Sequence, residues 1–393
     1  MDLNLRPLFL LDPAVCFLNH GSFGACPRPV FEAYQAWQLR LERQPVAFLD
    51  PMRGYGAWMT EARAALAAEV GAQPDDLVGV TNATVALNIA AQSLPLSVGD
   101  EILTTDHEYA ALKKTWAFVA RRTGARVVTA RVPLPLNSHA AFTEALVDAM
   151  TDRTRVLFLS HITSATALLF PIEQIVGIAR KRGILTVIDG AHAPGHVPLD
   201  LDGLGADVYV GNCHKWLMAP KGSAFLHVRR GLQARIDPLV ISHGWTPNRA
   251  EPGPFGNTAF VDSLEMQGTR DPAAFLTVPE AIRFRTNNGW DRVAARCRDL
   301  VDSTEARVSR LTGLAPLSST AFRAPQMASL RVPRCDPKAL QRRLLEEHSI
   351  EIPCFDWQDH TMVRISAQGY NTQADMDRLV GALAGILALR DAA

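Results

Sequence analysis

The stretch "DVYVGNCHKWLMAPKGSAFLHV", residues 207–228, sets an apolar run, a histidine–lysine pair and a second apolar run in immediate succession. A lysine ammonium at the end of a buried strand is costly unless it is paired or has chemical work to do. The same pattern recurs upstream, where short apolar runs alternate with helical ones: "LVGVT" then "VALNIAAQSL", "EILTT" then "AALKKTWAFVARR", "RVLFLSH" then "IEQIVGIARKRG", and finally "ILTVIDG". Strands that are apolar throughout and separated by helices predict a mainly parallel sheet covered on both faces. In such a sheet ligands lie outside the carboxyl ends of the strands. The residues to read are therefore those just after each run: Asn82-Ala83-Thr84, Asp106 to Tyr109, His161 and Ser164, Asp189 with His192, and His214-Lys215.

Outward from this core, amphipathic stretches at 29–43 and 56–71 predict helices, the second closed by Gly71. Beyond about residue 285 long helical patterns alternate with the strand-like "MASLRV" and "VRISA", which suggests a smaller α+β unit. The expected organisation is an amino-terminal arm over 1–25 packing near the active site, a large α/β domain over 26–284 and a small α+β domain over 285–393. The Pro- and Gly-rich segment 243–258 reads as a long irregular loop, and such loops are often functional.

Composition excludes several classes. With 393 residues, 48% hydrophobic and 20% charged, the chain can bury a full core. Lys+Arg 40 balances Asp+Glu 40, so no basic excess is present to bind nucleic acid or an anionic membrane. The six cysteines show no C-x-x-C spacing, which gives neither a zinc ligand set nor a disulfide framework. Reduced thiols in a cytoplasmic protein are the expectation, with no metal, no targeting segment and no membrane span.

Taken singly, each candidate has an ordinary structural explanation. Asn82-Ala83-Thr84 can simply cap a helix, Asp189 can be satisfied by turn amides, and His161, His192 and Tyr109 can be core residues. Together they match the needs of one cofactor. Pyridoxal phosphate requires an amine for its aldehyde, an acid against its pyridine nitrogen and an anion site for its phosphate. An aspartate and a lysine at successive strand ends meet the first two, and the amino end of a helix meets the third.

The motifs "TNATVALN" (81–88), "DHEYAALKKTW" (106–116), "SHITSATALLFPI" (160–172), "VIDGAHAPG" (187–195), "GNCHKWLMAPKGSAFL" (211–226), "QGTRDPAAF" (267–275) and "VRISAQGYNT" (363–372) resemble those of the class V aminotransferase family of fold-type I pyridoxal-phosphate enzymes. Within it, "FLNHGSFGACPRPV" (17–30) and "VIDGAHAPG" most resemble the isopenicillin N epimerase branch. The resemblance implies that Lys215 binds the cofactor aldehyde and that Asp189 pairs with the pyridinium nitrogen. It implies phosphate contacts from Ala83, Thr84 and His214, with Thr269 serving the neighbouring subunit of a homodimer. Tyr109 falls where the family stacks a ring on the cofactor. His192 and Ser164 fall near its ring hydroxyl, where desulfurases have glutamine and asparagine. Arg364 matches the arginine that grips a substrate carboxylate, a task suited to its planar fork. The implied substrate is an amino acid.

Within the family the reaction is decided by the fate of Cα once it has lost a bond. Desulfurases carry a nucleophilic cysteine just before the arginine, whereas here the interval reads "FDWQDHTMV" (355–363). Cys354, at the end of the strand-like "IEIPC", reads as a small buried hydrophobe. Epimerisation needs a proton donor on each face of Cα, so Tyr109 is expected to act opposite Lys215, with His20 and His161 as alternatives. His20, in the glycine-rich "NHGSFG", is also a candidate substrate contact. A β-eliminating C–S lyase needs only Lys215 as base, and that activity and transamination remain alternatives to an epimerase.

Overall fold

The computed structural model describes residues 5–389; the first four residues of the expected arm and the last four of the chain lie outside them. The central sheet has seven strands: β1 (Leu77–Val80), β2 (Glu101–Thr105), β3 (Arg126–Ala130), β4 (Thr154–Ser160), β5 (Leu185–Asp189), β6 (Val208–Asn212) and β7 (Ala224–Val228). Their spatial order is β1-β7-β6-β5-β4-β2-β3, all parallel except β7, which runs antiparallel to both neighbours. The exception arises from the connection. Between β6 and β7 the chain forms no helix, and without a crossover element the next strand can only return antiparallel.

The apolar character of these strands has a direct cause. In β4, Val156 and Phe158 belong to one hydrophobic core, together with Val78, Val187, Val210 and helix residues Leu112 and Trp116. Leu157 and Leu159 belong to the other, with Ile188, Phe225, Ile175 and Val176. Alternate side chains thus enter two cores, and neither face is left polar. The strand β3, which the apolar-run pattern does not predict, is an edge strand with Arg126, Val127 and Thr129 exposed.

A second sheet joins β8 (Met327–Val332), β9 (Cys354–Trp357) and β10 (His360–Ser366) in the antiparallel order β9-β10-β8. The interval before Arg364 is a β-hairpin, and Cys354 opens β9 instead of closing the preceding strand. Its thiol is buried, with Cys354 paired to Val363. Near the chain start, Cys16–Phe17 pairs in parallel with Ile350–Glu351, and Asn19 bridges to Ser366. These pairings place the turn His20–Phe23 beside β10.

The helix Gly56–Val70 ends in the left-handed Gly71 and carries Arg63, whose Nη1 donates to Glu265 Oε2 at 2.6 Å in the interior. The second Glu265 oxygen accepts from the Gly79 amide of β1 at 3.0 Å. Removing Arg63 would leave that carboxylate buried without its cation. Arg63→Ala should therefore cost about 3–5 kcal/mol, read as a lowered denaturant midpoint with an unchanged slope.

Candidate functional site

Five strand ends meet at one cavity of about 230 Å³. After β1, the Asn82 side chain caps the helix Ala83–Ser93 by accepting from the Val85 amide at 2.9 Å. Asn212, at the end of β6, accepts from the Ala83 amide at 2.9 Å. Amides in a first helical turn have no intrahelical partner, and with those two engaged by side chains the Thr84 amide and hydroxyl remain for an anion at the cavity wall. After β2, Glu108 turns inward and accepts from the Ser160 amide at 2.9 Å, the Ser160 hydroxyl at 2.5 Å and the Thr105 hydroxyl at 2.6 Å. Burial pushes its carboxyl up to about 7. Tyr109 comes next, half-exposed on the cavity wall.

The end of β5 presents Asp189, buried, with one oxygen accepting from the Ala191 amide at 3.0 Å. Burial raises its pKa, and the nearby Lys215 acts in the opposite direction. After β6 comes Lys215, whose Nζ lies 3.0 Å from His192 Nε2. Burial, reinforced by the positive charge of Arg364, brings its pKa down to about 7. His214 lines the same cavity, held through Nδ1 to the Ser223 carbonyl at 3.3 Å and lowered to about 4 mainly by burial.

The second sheet contributes Arg364 from β10. Its Nη1 donates to the Ser164 carbonyl at 2.6 Å and hydroxyl at 3.1 Å, and its Nη2 donates to the Ser22 hydroxyl at 2.9 Å. Nε is buried without a partner, and no carboxylate among the described residues pairs with the guanidinium. Burial lowers its pKa to about 10. A buried cation with only neutral partners is prepared for an anion from outside the chain.

Most of the residues expected from the sequence thus surround one space: Ala83, Thr84, Tyr109, Ser164, Asp189, His192, His214, Lys215 and Arg364. Three do not. His20 is fully buried, with Nδ1 3.0 Å from the Tyr370 hydroxyl and Nε2 2.9 Å from the Lys215 carbonyl. It supports the backbone of Lys215 and does not reach the cavity, which is lined instead by its neighbours Gly21, Ser22 and Phe23. His161 bonds the Tyr209 hydroxyl at 2.8 Å and faces a different, larger cavity of about 780 Å³ that shares none of these residues. Neither lines the cavity that holds Lys215. Thr269 lies in a third cavity with Tyr55, Ser242, His243 and Arg270.

Ser22, Asn212 and Trp216 carry no signal in the sequence that singles them out. All three stand inside the recognisable motifs, but nothing local shows that Ser22 meets Arg364. The amine, carboxylate, helix amino end and unpaired guanidinium form a donor set that fits pyridoxal phosphate bearing an amino acid. Asp189 would hold the ring nitrogen, Thr84 and His214 the phosphate, and Arg364 the carboxylate.

A family model described as Aminotransferase class-V matches residues 27–379. The chain is 40% identical to isopenicillin N epimerase of Amycolatopsis lactamdurans, over 97% of each chain. It is 31% identical to L-cysteine desulfhydrase of Arabidopsis thaliana, over 94% of this chain and 87% of that one. Among solved structures, cysteine desulfurase CsdA from Escherichia coli superposes with a TM-score of 0.81 at 22% identity, covering 98% of this chain and 97% of that one.

The amino-terminal turn can be tested directly. Gly24 has φ 69°, and a Cβ there would collide with the His214 carbonyl. Gly24→Ala should lower stability by about 1–3 kcal/mol and displace the His214–Lys215 backbone, seen as a lower melting temperature together with weakened retention of pyridoxal phosphate.

Proposed function

The chain belongs to the class V aminotransferase family of pyridoxal-phosphate enzymes, and from that premise we propose that it is an amino-acid epimerase of the isopenicillin N epimerase type, inverting configuration at Cα. The observation that carries the substrate class is Arg364, a buried guanidinium with no carboxylate partner among the described residues, beside the neutralisable amine of Lys215. When bound, the cofactor supplies an electron sink for negative charge at Cα. Arg364 holds the α-carboxylate, which leaves Cα near Lys215. Lys215 Nζ takes the proton from Cα, and the Tyr109 hydroxyl delivers one to the other face. The near-full-length identity to an isopenicillin N epimerase supports this assignment over the alternatives.

A β-eliminating lyase is the second reading, favoured by the desulfhydrase relative and by the sufficiency of Lys215 as sole base. Persulfide chemistry is not supported, because no cysteine among the described residues lines the cavity and burial pushes the Cys354 thiol up to about 12. We further infer a homodimer in which Thr269 serves the partner's phosphate site. Its place in a cavity other than the one that holds Lys215 supports this, as do the exposed Phe23, Leu239, Val240 and Ile241. Light scattering should read a two-chain mass.

The chemistry is tested by proton NMR in deuterated water with a panel of L-amino acids and S-substituted cysteines. Deuterium entering Cα with inversion and no keto acid is the expected result; pyruvate with a released thiol would make the enzyme a lyase. Tyr109→Phe should abolish inversion while sparing the absorbance of bound cofactor, and retained inversion would remove Tyr109 from the mechanism.

A further inference from the structure

His192 sits between two groups that together fix where its proton lies. Trp216 Nε1 is 3.4 Å from His192 Nδ1, and Lys215 Nζ is 3.0 Å from Nε2. An indole nitrogen only donates, so Nδ1 must offer its lone pair, and the neutral ring then carries its proton on Nε2. The other tautomer, or a protonated ring, would set one N–H against another. The Nε2–H needs an acceptor in turn, and a lysine nitrogen accepts only as the neutral amine.

The indole is not free to turn away. It is fully buried and stacks on His196, with 3.8 Å between ring centroids. His196 is itself fixed, because its Nε2 accepts from the Gln326 amide at 2.9 Å and its Nδ1 donates to the His192 carbonyl at 3.1 Å. One ring thus holds both the plane of the indole and the backbone of His192.

We propose that Trp216 and His192 are a positioning pair that keeps Lys215 a free amine, because their hydrogen bonds can run only from indole to imidazole to amine. This rests on Lys215 being the group that receives the cofactor aldehyde. The charged and titratable groups facing the pair are His20, Asp189, Arg364, His196 and His214. Burial and Arg364 favour the neutral amine, and Asp189 opposes it. Arg364 and Asp189 act through space, whereas Trp216 acts by forbidding the arrangement an ammonium would need.

The full chain, prepared free of cofactor, is mixed with pyridoxal phosphate from about pH 5 to about pH 9, and capture is followed by absorbance. In the wild type the rate should rise through a midpoint near neutrality. Trp216→Phe keeps the ring stack and removes the donor. Its midpoint should move upward, with capture on the acid side slowed about tenfold for every pH unit the midpoint moves, and unchanged on the alkaline side. His192→Leu should behave likewise, and His192→Gln, whose amide can still donate to Nζ, should restore the wild-type midpoint. Nitrogen NMR of wild-type His192 should show Nε2 protonated and Nδ1 bare. An unmoved midpoint in Trp216→Phe, or a protonated Nδ1 in the wild type, overturns the proposal. If Trp216→Phe fails to fold, the wild-type NMR decides alone. Failure of the wild type to capture cofactor at any pH would count against the reading of Lys215 itself, and the tautomer would still be read from the NMR.

Discussion

The site depends on keeping two basic groups, Lys215 and Arg364, inside one cavity whose wall, among the described residues, carries a single carboxylate, Asp189. Burying charge costs free energy unless it is matched. The chain meets this constraint differently for each group. Lys215 sheds its proton near neutrality, while Arg364 stays charged and is held by neutral oxygens of Ser164 and Ser22. Of the two, only the arginine remains a cation throughout the physiological range. That asymmetry separates a carboxylate-binding point from a nucleophilic point within one small volume, as chemistry at Cα of an amino acid requires.

The sheet makes this economical. Five parallel strands end on the same edge, so a few residues of overhang from each suffice to assemble the cavity wall. The exceptional strand, β7, runs the other way, and its alternating side chains serve the two cores. Arg364 alone comes from the second sheet. Its guanidinium bridges Ser164, after β4, and Ser22, in the amino-terminal turn. Parts of the chain that are remote in sequence are therefore joined at the group that would grip substrate. A substrate carboxylate arriving there would compete with the serine hydroxyls for the same donors, which couples binding to the packing of the first turn.

The strand ends are legible in the sequence because each apolar run stops abruptly at a polar residue, and that punctuation survives without any tertiary information. The edge strand β3 is not, because "RVVTA" is largely exposed and carries no buried run to betray it. Cys354 reads as part of the wrong strand because the break at Pro353 lies within an otherwise continuous apolar pattern; the β9–β10 hairpin reveals it only through pairing. In "NHGSFG" Gly24 closely approaches the His214 carbonyl. The sequence offers no means of choosing between His20 and Ser22 as the side chain that meets the cavity, since that is set by the direction of one helical turn against Tyr370 and β10.

His20 and Trp216 show why a buried site carries more than its contacting residues. His20 bonds the Lys215 carbonyl and packs near the Trp216 indole, with ring centroids 5.0 Å apart. Trp216 then stacks on His196, which holds the backbone of His192. All three histidines are pushed toward the neutral form chiefly by burial. A neutral imidazole donates from one nitrogen and accepts at the other. A layer of such rings therefore carries direction without carrying charge. An ion in the same place would add to the cationic load that Lys215 and Arg364 already impose, so supporting the lysine with neutral aromatic donors is the arrangement that leaves its amine available.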